Sequence, residues 1–152
     1  MDYEEITIDH LDELASLYVE TFNSEPWNDK WTISTATKRL HQMINTEDSY
    51  GLCAYQGGVL CGAILGCMEQ FYNGIMFNVK EFWVKNGMRG RGIGTQIFSE
   101  FEKTLKERQV GAIILFTSKG DFTEPIIGLI KFIPRTQKNI TLLQIYNYCL
   151  IC

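Results

Sequence analysis

Residues 88–98 read MRGRGIGTQIF, and this stretch decides the fold. It places three glycines and two arginines within the six residues 89–94, and it runs directly into a segment with helical spacing. Glycine is a poor helix former, so its clustering at a helix start indicates that bare backbone is needed there. The first N–H groups of a helix lack partners, and the helix dipole adds partial positive charge. The stretch therefore predicts an anion-binding loop.

The segments around this loop predict a β-α-β unit. Residues 75–85 and 111–118 have the composition of strands, and helical spacing connects them from residue 94 to about residue 108. Strands joined in this way are parallel, with a right-handed connection. Before them, residues 49–55 and 58–70 predict an antiparallel hairpin around a glycine-rich turn.

The N-terminal part predicts a strand followed by two helices. Residues 3–8 alternate as a strand does. The helix that follows is expected to open at Asp9 or His10, with Asp9 as its N-cap. A second helix is expected to begin at Thr32 or Ser34 and to end near Asn45. The chain therefore predicts an α/β (α+β) fold, in which helices cover both faces of a mixed, mostly antiparallel sheet. One domain covers residues 1–152.

Composition limits the classes of function. The chain has 152 residues, 45% hydrophobic and 21% charged, as is usual for one soluble domain. Nine of the 18 acidic residues lie in the first 30, where Lys30 alone opposes them. This acidity disfavours a nucleic-acid partner and would attract a cationic substrate. No membrane span or signal region is evident, so we expect a cytoplasmic protein.

The five cysteines are expected to be reduced thiols, most of them buried, because they form no CxxC pair and are odd in number. We therefore expect no disulfide framework and no metal site. The sequence leaves the oligomeric state open, and a homodimer is compatible with it.

Three phosphate-binding patterns can be compared with the glycine loop. The chain has no G-x-x-x-x-G-K-[ST] run, and Thr95 stands where a dinucleotide fingerprint needs its last glycine. The pattern [QR]-x-x-G-x-[GA] fits at Arg89, Gly92 and Gly94. A tight turn with incidental glycines stays open as the structural alternative.

The stretch EFWVKNGMRGRGIGTQIF, residues 81–98, resembles the acetyl-CoA-binding motif of the GCN5-related N-acetyltransferases (GNAT). The order of elements along nearly the whole chain is similar as well. The Pro26-Trp27 pair after the first helix is similar to small bacterial members, including those grouped with aminoglycoside 6′-N-acetyltransferases.

This resemblance implies acetyl-CoA as co-substrate and a site for each part of it. Its pyrophosphate would lie on the glycine loop, and its pantetheine arm would pair like an added strand with the strand before the loop. The backbone N–H of Val84 would stabilise the oxyanion. The implied cofactor-binding residues are Phe82, Trp83, Val84, Arg89, Gly90, Arg91, Gly92, Ile93, Gly94 and Thr95.

Acetyl transfer to an amine needs a base, because an alkylamine is mostly protonated at pH 7. Glu81 is the first candidate, since it is an acid in an apolar segment on the strand that the family uses for such residues. Strand alternation places it on the face of Trp83, opposite Phe82 and Val84. Glu69 is the second candidate. A solvent-facing or lysine-paired Glu81 is the structural alternative.

The acceptor is expected to be a small cationic amine near Glu25, Trp27 and Trp31, because acids and aromatic rings suit a cation. For the tryptophans the structural alternative is helix packing.

The chain departs from the family after the β-α-β unit. The family shows a short helix, F-Y-x-x-x-G-F, whose tyrosine protonates the leaving thiolate. The matching residues 126–132 read IIGLIKF, which puts Ile127 at the tyrosine position. Tyr146 or Tyr148, on an expected final strand over residues 140–151, could supply a hydroxyl instead. Residues 122–152 are therefore atypical, and a coenzyme A-binding module with weak or lost turnover remains an alternative. A domain that uses the loop for another anion is a further alternative.

Overall fold

A computed structural model describes the backbone of residues 1–117 and 127–132. Within those residues six strands form one sheet, whose spatial order matches the chain order. Only β4 and β5 pair in parallel, which confirms the expected mixed, mostly antiparallel sheet. The elements are β1 (Asp2–Glu5), α1 (Leu11–Phe22), α2 (Ile33–Ile44), β2 (Ser49–Gln56), β3 (Val59–Phe71), β4 (Gly74–Val84), α3 (Ile93–Glu107), β5 (Val110–Thr117) and β6 (Ile127–Phe132).

Helices cover both faces of the sheet, as the sequence predicts. The buried stripe of α3 repeats every four residues and packs against the same face as Phe82 and Val84. It consists of Ile93, Ile97, Phe101 and Leu105. On the other face α1 and α2 bury a second cluster that includes Trp83. The alternation of residues 82–84 between two cores follows from the strand period of two.

The two N-terminal helices begin differently. Thr32 caps α2, where its side-chain oxygen accepts from the N–H of Thr35, as expected from its hydroxyl. The expected cap at Asp9 is wrong, because α1 begins at Leu11 with His10 in the capping position. Asp9 lies in a short 3-10 turn over Ile8–His10, closed by the N–H of Thr7, which donates to Nδ1 of His10 at 3.1 Å.

The stretch aligned with the family's short helix is a strand. Residues 127–132 form β6, which pairs antiparallel with β5 along its whole length, from Thr117↔Ile127 to Ala112↔Phe132. The alignment of Ile127 with a helix-borne tyrosine therefore does not describe this part of the chain. The expected strand over residues 140–151, with Tyr146 and Tyr148, lies outside the described residues.

No helix within the described residues is long and apolar enough to cross a membrane. In the same part of the chain, no cluster of ligand-type side chains could hold a metal ion. Cys53, Cys61 and Cys67 are buried free thiols, as expected. Burial raises the pKa of each of these thiols, which keeps them protonated at neutral pH. Cys149 and Cys152 lie outside the described residues.

Candidate active site

The glycine loop presents bare backbone at the start of α3. Gly87, Gly90 and Gly92 have φ of 74°, 72° and 76°, and a Cβ added at any of them would meet no atom within 4 Å. These glycines therefore serve the left-handed backbone, with open space on their outer side. Gly92 is the N-cap of α3 and, as a glycine, has no side chain to cap the helix.

This backbone forms a concavity suited to an anion. Gly90 and Gly92 have positive φ, while Arg91 between them does not, and such alternation turns successive N–H groups to one side. The uncapped first turn of the 15-residue α3 adds its own N–H groups and contains no acidic side chain. Thr95 is exposed next to it, while Ile93 and Gly94 are buried. The residues present therefore fit a pyrophosphate.

Next to the loop, β4 and β5 part. Their parallel pairing ends at Val79↔Leu115, although β4 continues for five more residues. A bulge begins at the same place, because the register on β3 moves from Gly66↔Val79 to Leu65↔Glu81 and leaves Lys80 without a partner. Bulges bend a strand and increase its twist. The bulge at Lys80 thus accompanies the opening that the resemblance implies.

The backbone of β4 after the bulge, residues 81–84, faces this opening. The N–H of Lys85 donates to the carbonyl of Cys61 on β3 at 2.8 Å. Backbone groups alternate in direction along a strand, so the N–H of Val84 points away from β3 and toward the opening. Phe82 and Val84 are buried beside α3, and Trp83 is buried on the other face. This geometry suits a strand-like pantetheine arm, and the oxyanion role of Val84 stays a prediction.

The side chain of Arg89 turns away from the concavity and joins the loop to the segment between α1 and α2. Its Nη1 donates to the carbonyl of Glu25 at 3.2 Å, and its Nε donates to the carbonyl of Val84 at 3.3 Å. The guanidinium lies 4.5 Å from the centre of the Trp27 ring. Arg89 therefore contributes its backbone to the glycine loop, whereas its guanidinium packs against Trp27. Arg91 is exposed.

The aromatic residues assigned to the acceptor contact cations of the chain itself. Trp27 lies under Arg89, and the guanidinium of Arg39 is 5.7 Å from the ring centre of Trp31. Trp31 also donates from Nε1 to Asp29 at 3.0 Å and packs edge-on against Tyr18. The tryptophans thus perform the packing role of the alternative interpretation. Their acceptor role, and that of the exposed Glu25, stays a prediction.

Glu81 lies on the face of Trp83, as predicted, and is 8% exposed. Its Oε1 accepts from Nε of Arg39 at 2.7 Å, from Nη2 of the same guanidinium, and from the Tyr18 hydroxyl at 3.2 Å. Burial raises the pKa of Glu81, and both partners oppose that shift because they stabilise its charged form. The same burial, with the nearby carboxylate, raises the pKa of Tyr18.

Glu69 is more exposed than Glu81. Its Oε1 accepts from Nδ2 of Asn78 at 3.0 Å and lies 4.0 Å from Nζ of Lys80. Its side chain is 39% exposed, against 9% for Glu81. Of the two candidates, Glu81 therefore has the environment that is typical of a tuned acid–base group.

An open pocket with a cavity volume of about 170 Å³ lies beside Glu81, whose ion-pair partner Arg39 and chain neighbour Lys80 are in the lining, although Glu81 itself is not. The C-terminal half of α2 forms one wall, and Gly66 and Cys67 of β3 form part of the other surface. Arg39 and Lys80 both line the pocket. Because Lys80 is the bulge residue, the pocket adjoins the opening between β4 and β5.

The sequence analysis does not predict three residues of this site: Tyr18, Arg39 and Lys80. Tyr18 and Arg39 reach Glu81 from two helices, at sequence separations of 63 and 42 residues, so no local pattern connects them with the strand. Lys80 carries a weak signal. Lys80 and Glu81 are consecutive charged residues in an otherwise apolar strand, and this break in alternation is what a bulge produces.

Comparisons with known proteins agree with this geometry. The model of the acetyltransferase (GNAT) family matches residues 11–137. An aminoglycoside 6′-N-acetyltransferase complexed with coenzyme A is 20% identical, with a TM-score of 0.61, over 77% of this chain and 62% of its own. An aminoglycoside 6′-acetyltransferase type Ii is 22% identical, with a TM-score of 0.62, over 82% of this chain and 77% of its own. No curated protein sequence matches.

A third solved structure has a different acceptor in its name. A ribosomal-protein-alanine N-acetyltransferase from Brucella melitensis biovar Abortus 2308 is 16% identical, with a TM-score of 0.63, over 78% of this chain and 82% of its own. At these identities the likeness establishes the fold alone, whereas the family match covers most of the chain. The chain belongs to the acetyltransferase (GNAT) family, which uses acetyl-CoA as its co-substrate.

Proposed function

We propose that this chain transfers an acetyl group from acetyl-CoA to the primary amine of a small acceptor, by direct attack in a ternary complex. The observation that carries the proposal is the parting of β4 and β5 between the uncapped glycine loop and the pocket beside Glu81. The loop would hold the phosphates of a thioester and the opening its arm, and the pocket adjoins that opening at Lys80.

Different parts of the chain have different roles in this reaction. The loop backbone from Gly90 to Gly92 and the first turn of α3 bind the pyrophosphate. The N–H of Val84 faces the opening and stabilises the developing negative charge. Acetyl-CoA, when bound, supplies the activated acyl group.

Glu81 accepts the proton of the attacking amine, directly or through one water. Its three hydrogen bonds to described residues all use Oε1, so Oε2 is proposed as the oxygen that takes the proton. Burial raises the pKa of Glu81, which strengthens it as a base, and Arg39 opposes that shift because it stabilises the carboxylate.

Residues 127–132 form a strand where the family has its tyrosine-bearing helix, so in this proposal the thiolate leaves without that tyrosine as acid. A thiol has an ordinary pKa near 8.5, so its anion is a tolerable leaving group at neutral pH. We therefore expect turnover that is slower than in members with a tyrosine in that role.

The test combines binding with turnover. Calorimetry measures whether acetyl-CoA binds, and release of the free thiol is followed with a panel of primary amines. We expect binding and amine-dependent release. Absence of acetyl-CoA binding would reject the proposed site itself.

A second candidate is a module that binds coenzyme A without turnover. The strand β6 over residues 127–132, where the family has its tyrosine-bearing helix, favours it. Binding of acetyl-CoA without stimulation of thiol release by any amine would support this candidate and reject the transferase.

A further inference from the structure

The pocket beside Glu81 has a positively charged lining. Arg39 and Lys80 supply two full charges, with side chains 40% and 42% exposed. Gln42 and Met43 add polar and apolar surface, and no acidic side chain lines the pocket within the described residues. Each cation also lies next to a carboxylate outside the lining, Arg39 next to Glu81 and Lys80 next to Glu69.

The guanidinium of Arg39 is held in position before any ligand arrives. Two of its nitrogens donate to the same oxygen of Glu81, and Trp31 lies beneath it at 5.7 Å. A guanidinium has five N–H donors, so donors remain after these two bonds. Its planar fork matches a carboxylate, and a fixed fork loses little entropy on binding.

The charge of Lys80 is only weakly engaged within the chain. Its Nζ is 4.0 Å from Oε1 of Glu69, the limit for an ion pair, and both side chains are well exposed. Pairs of this kind contribute little energy. Lys80 can therefore turn to a ligand at small cost, and its place on the bulge puts it beside the opening between β4 and β5.

We infer that the acceptor amine also carries a carboxylate, which binds between Arg39 and Lys80, so that the substrate class is that of amino acids. This inference rests on the proposed function and names its substrate. Glu81 then has two roles, because it holds Arg39 in position and takes the proton from the amine. Selectivity arises because a carboxylate forms charge-assisted hydrogen bonds with Arg39 and Lys80 that a simple amine cannot form.

The experiment compares amines that differ only in the carboxylate. Lysine is paired with cadaverine, and phenylalanine with phenethylamine, in the thiol-release assay with acetyl-CoA. We expect kcat/KM to be about 10-fold or more higher for the member with the carboxylate, which corresponds to one charge-assisted contact.

Two variants and a control place the carboxylate. Lys80→Gln and Arg39→Lys should each reduce the preference for the carboxylate member several-fold, mainly through KM. Lys38→Gln, at an exposed position of the same helix outside the pocket lining, should leave the preference unchanged. A preference that survives both pocket variants would overturn this location.

The outcomes separate the inference from the function on which it rests. Equal or better use of cadaverine and phenethylamine would overturn the inference and leave the transferase standing. Binding of acetyl-CoA without thiol release by any amine would overturn both.

Discussion

Replacement of Gly92 by alanine tests the phosphate-binding loop in a way that separates folding from binding. Gly92 caps α3 with φ of 76° and ψ of 7°, and an added Cβ would meet no atom of the protein within 4 Å. The variant therefore creates no clash in the free chain. It introduces a backbone strain, and it places a methyl group on the surface where the pyrophosphate is predicted to lie.

The two effects have different sizes. A residue other than glycine in the left-handed region costs about 1–2 kcal/mol. For a chain of this length that lowers Tm by roughly 3–8 °C. A lost contact between a backbone N–H and a phosphate oxygen costs about 1.5–3 kcal/mol. The Kd for acetyl-CoA should therefore rise about 10- to 100-fold.

Gly58→Ala is the matched control. Gly58 has φ of 75° in the turn between β2 and β3, and an added Cβ there would also meet nothing within 4 Å. Both variants should lose similar stability in thermal melts, but only Gly92→Ala should weaken acetyl-CoA in calorimetry. If Gly92→Ala binds acetyl-CoA as tightly as Gly58→Ala does, the loop is a structural turn and its assignment as the phosphate site is wrong.

Three further perturbations test other parts of the site. Glu81→Gln should reduce kcat by about 100-fold and remove the acid limb of the pH–rate profile, which lies above the ordinary glutamate range because burial raises that pKa; an unaltered acid limb would rule out Glu81 as the base. Arg89→Leu should lower the free energy of unfolding by about 1–2 kcal/mol and increase hydrogen exchange around Trp27, because it removes a cation–π contact and two hydrogen bonds. Unchanged exchange there would argue against the contact between the glycine loop and the segment that contains Trp27. Cys53 has its pKa raised to about 12 by burial, so the folded state binds its proton more tightly and stability should fall between about pH 9 and pH 12. Denaturant titrations at several pH values give the slope of the free energy of unfolding against pH, and Cys53→Ala should reduce this slope by about 1.4 kcal/mol per pH unit. An equal slope in both proteins would show that the Cys53 thiol is not the cause.

Local pattern predicts most of the fold. The hairpin, the β-α-β unit and the cap at Thr32 follow from turn residues, apolar periodicity and a hydroxyl at a helix start. The cap at Asp9 fails because Thr7 and His10 close a 3-10 turn that competes with the first helical turn. The strand at residues 127–132 differs from the helix of the family because its backbone pairs with β5.

Local sequence likewise predicts some residues of the candidate site and not others. The glycine loop can be read locally because positive φ and bare backbone leave their signature in adjacent residues. Glu81 is readable as an unusual acid in an apolar strand, but its partners are not, since Tyr18 and Arg39 arrive from separate helices. For the side chain of Arg89, the sequence suggests a role that its observed contacts do not match. Its sequence position suggests a phosphate contact, yet a nearby ring and two carbonyls engage it within the chain.

Incubation of the protein with acetyl-CoA that carries an isotope-labelled acetyl group, followed by mass spectrometry of the amines present, tests the central proposal most directly. We expect the label to appear on the amine of a small acceptor, in amounts equal to the thiol released, and we expect Glu81→Gln to slow its appearance. Acetyl-CoA that binds in calorimetry while no amine acquires the label would contradict the proposal that this chain is an N-acetyltransferase.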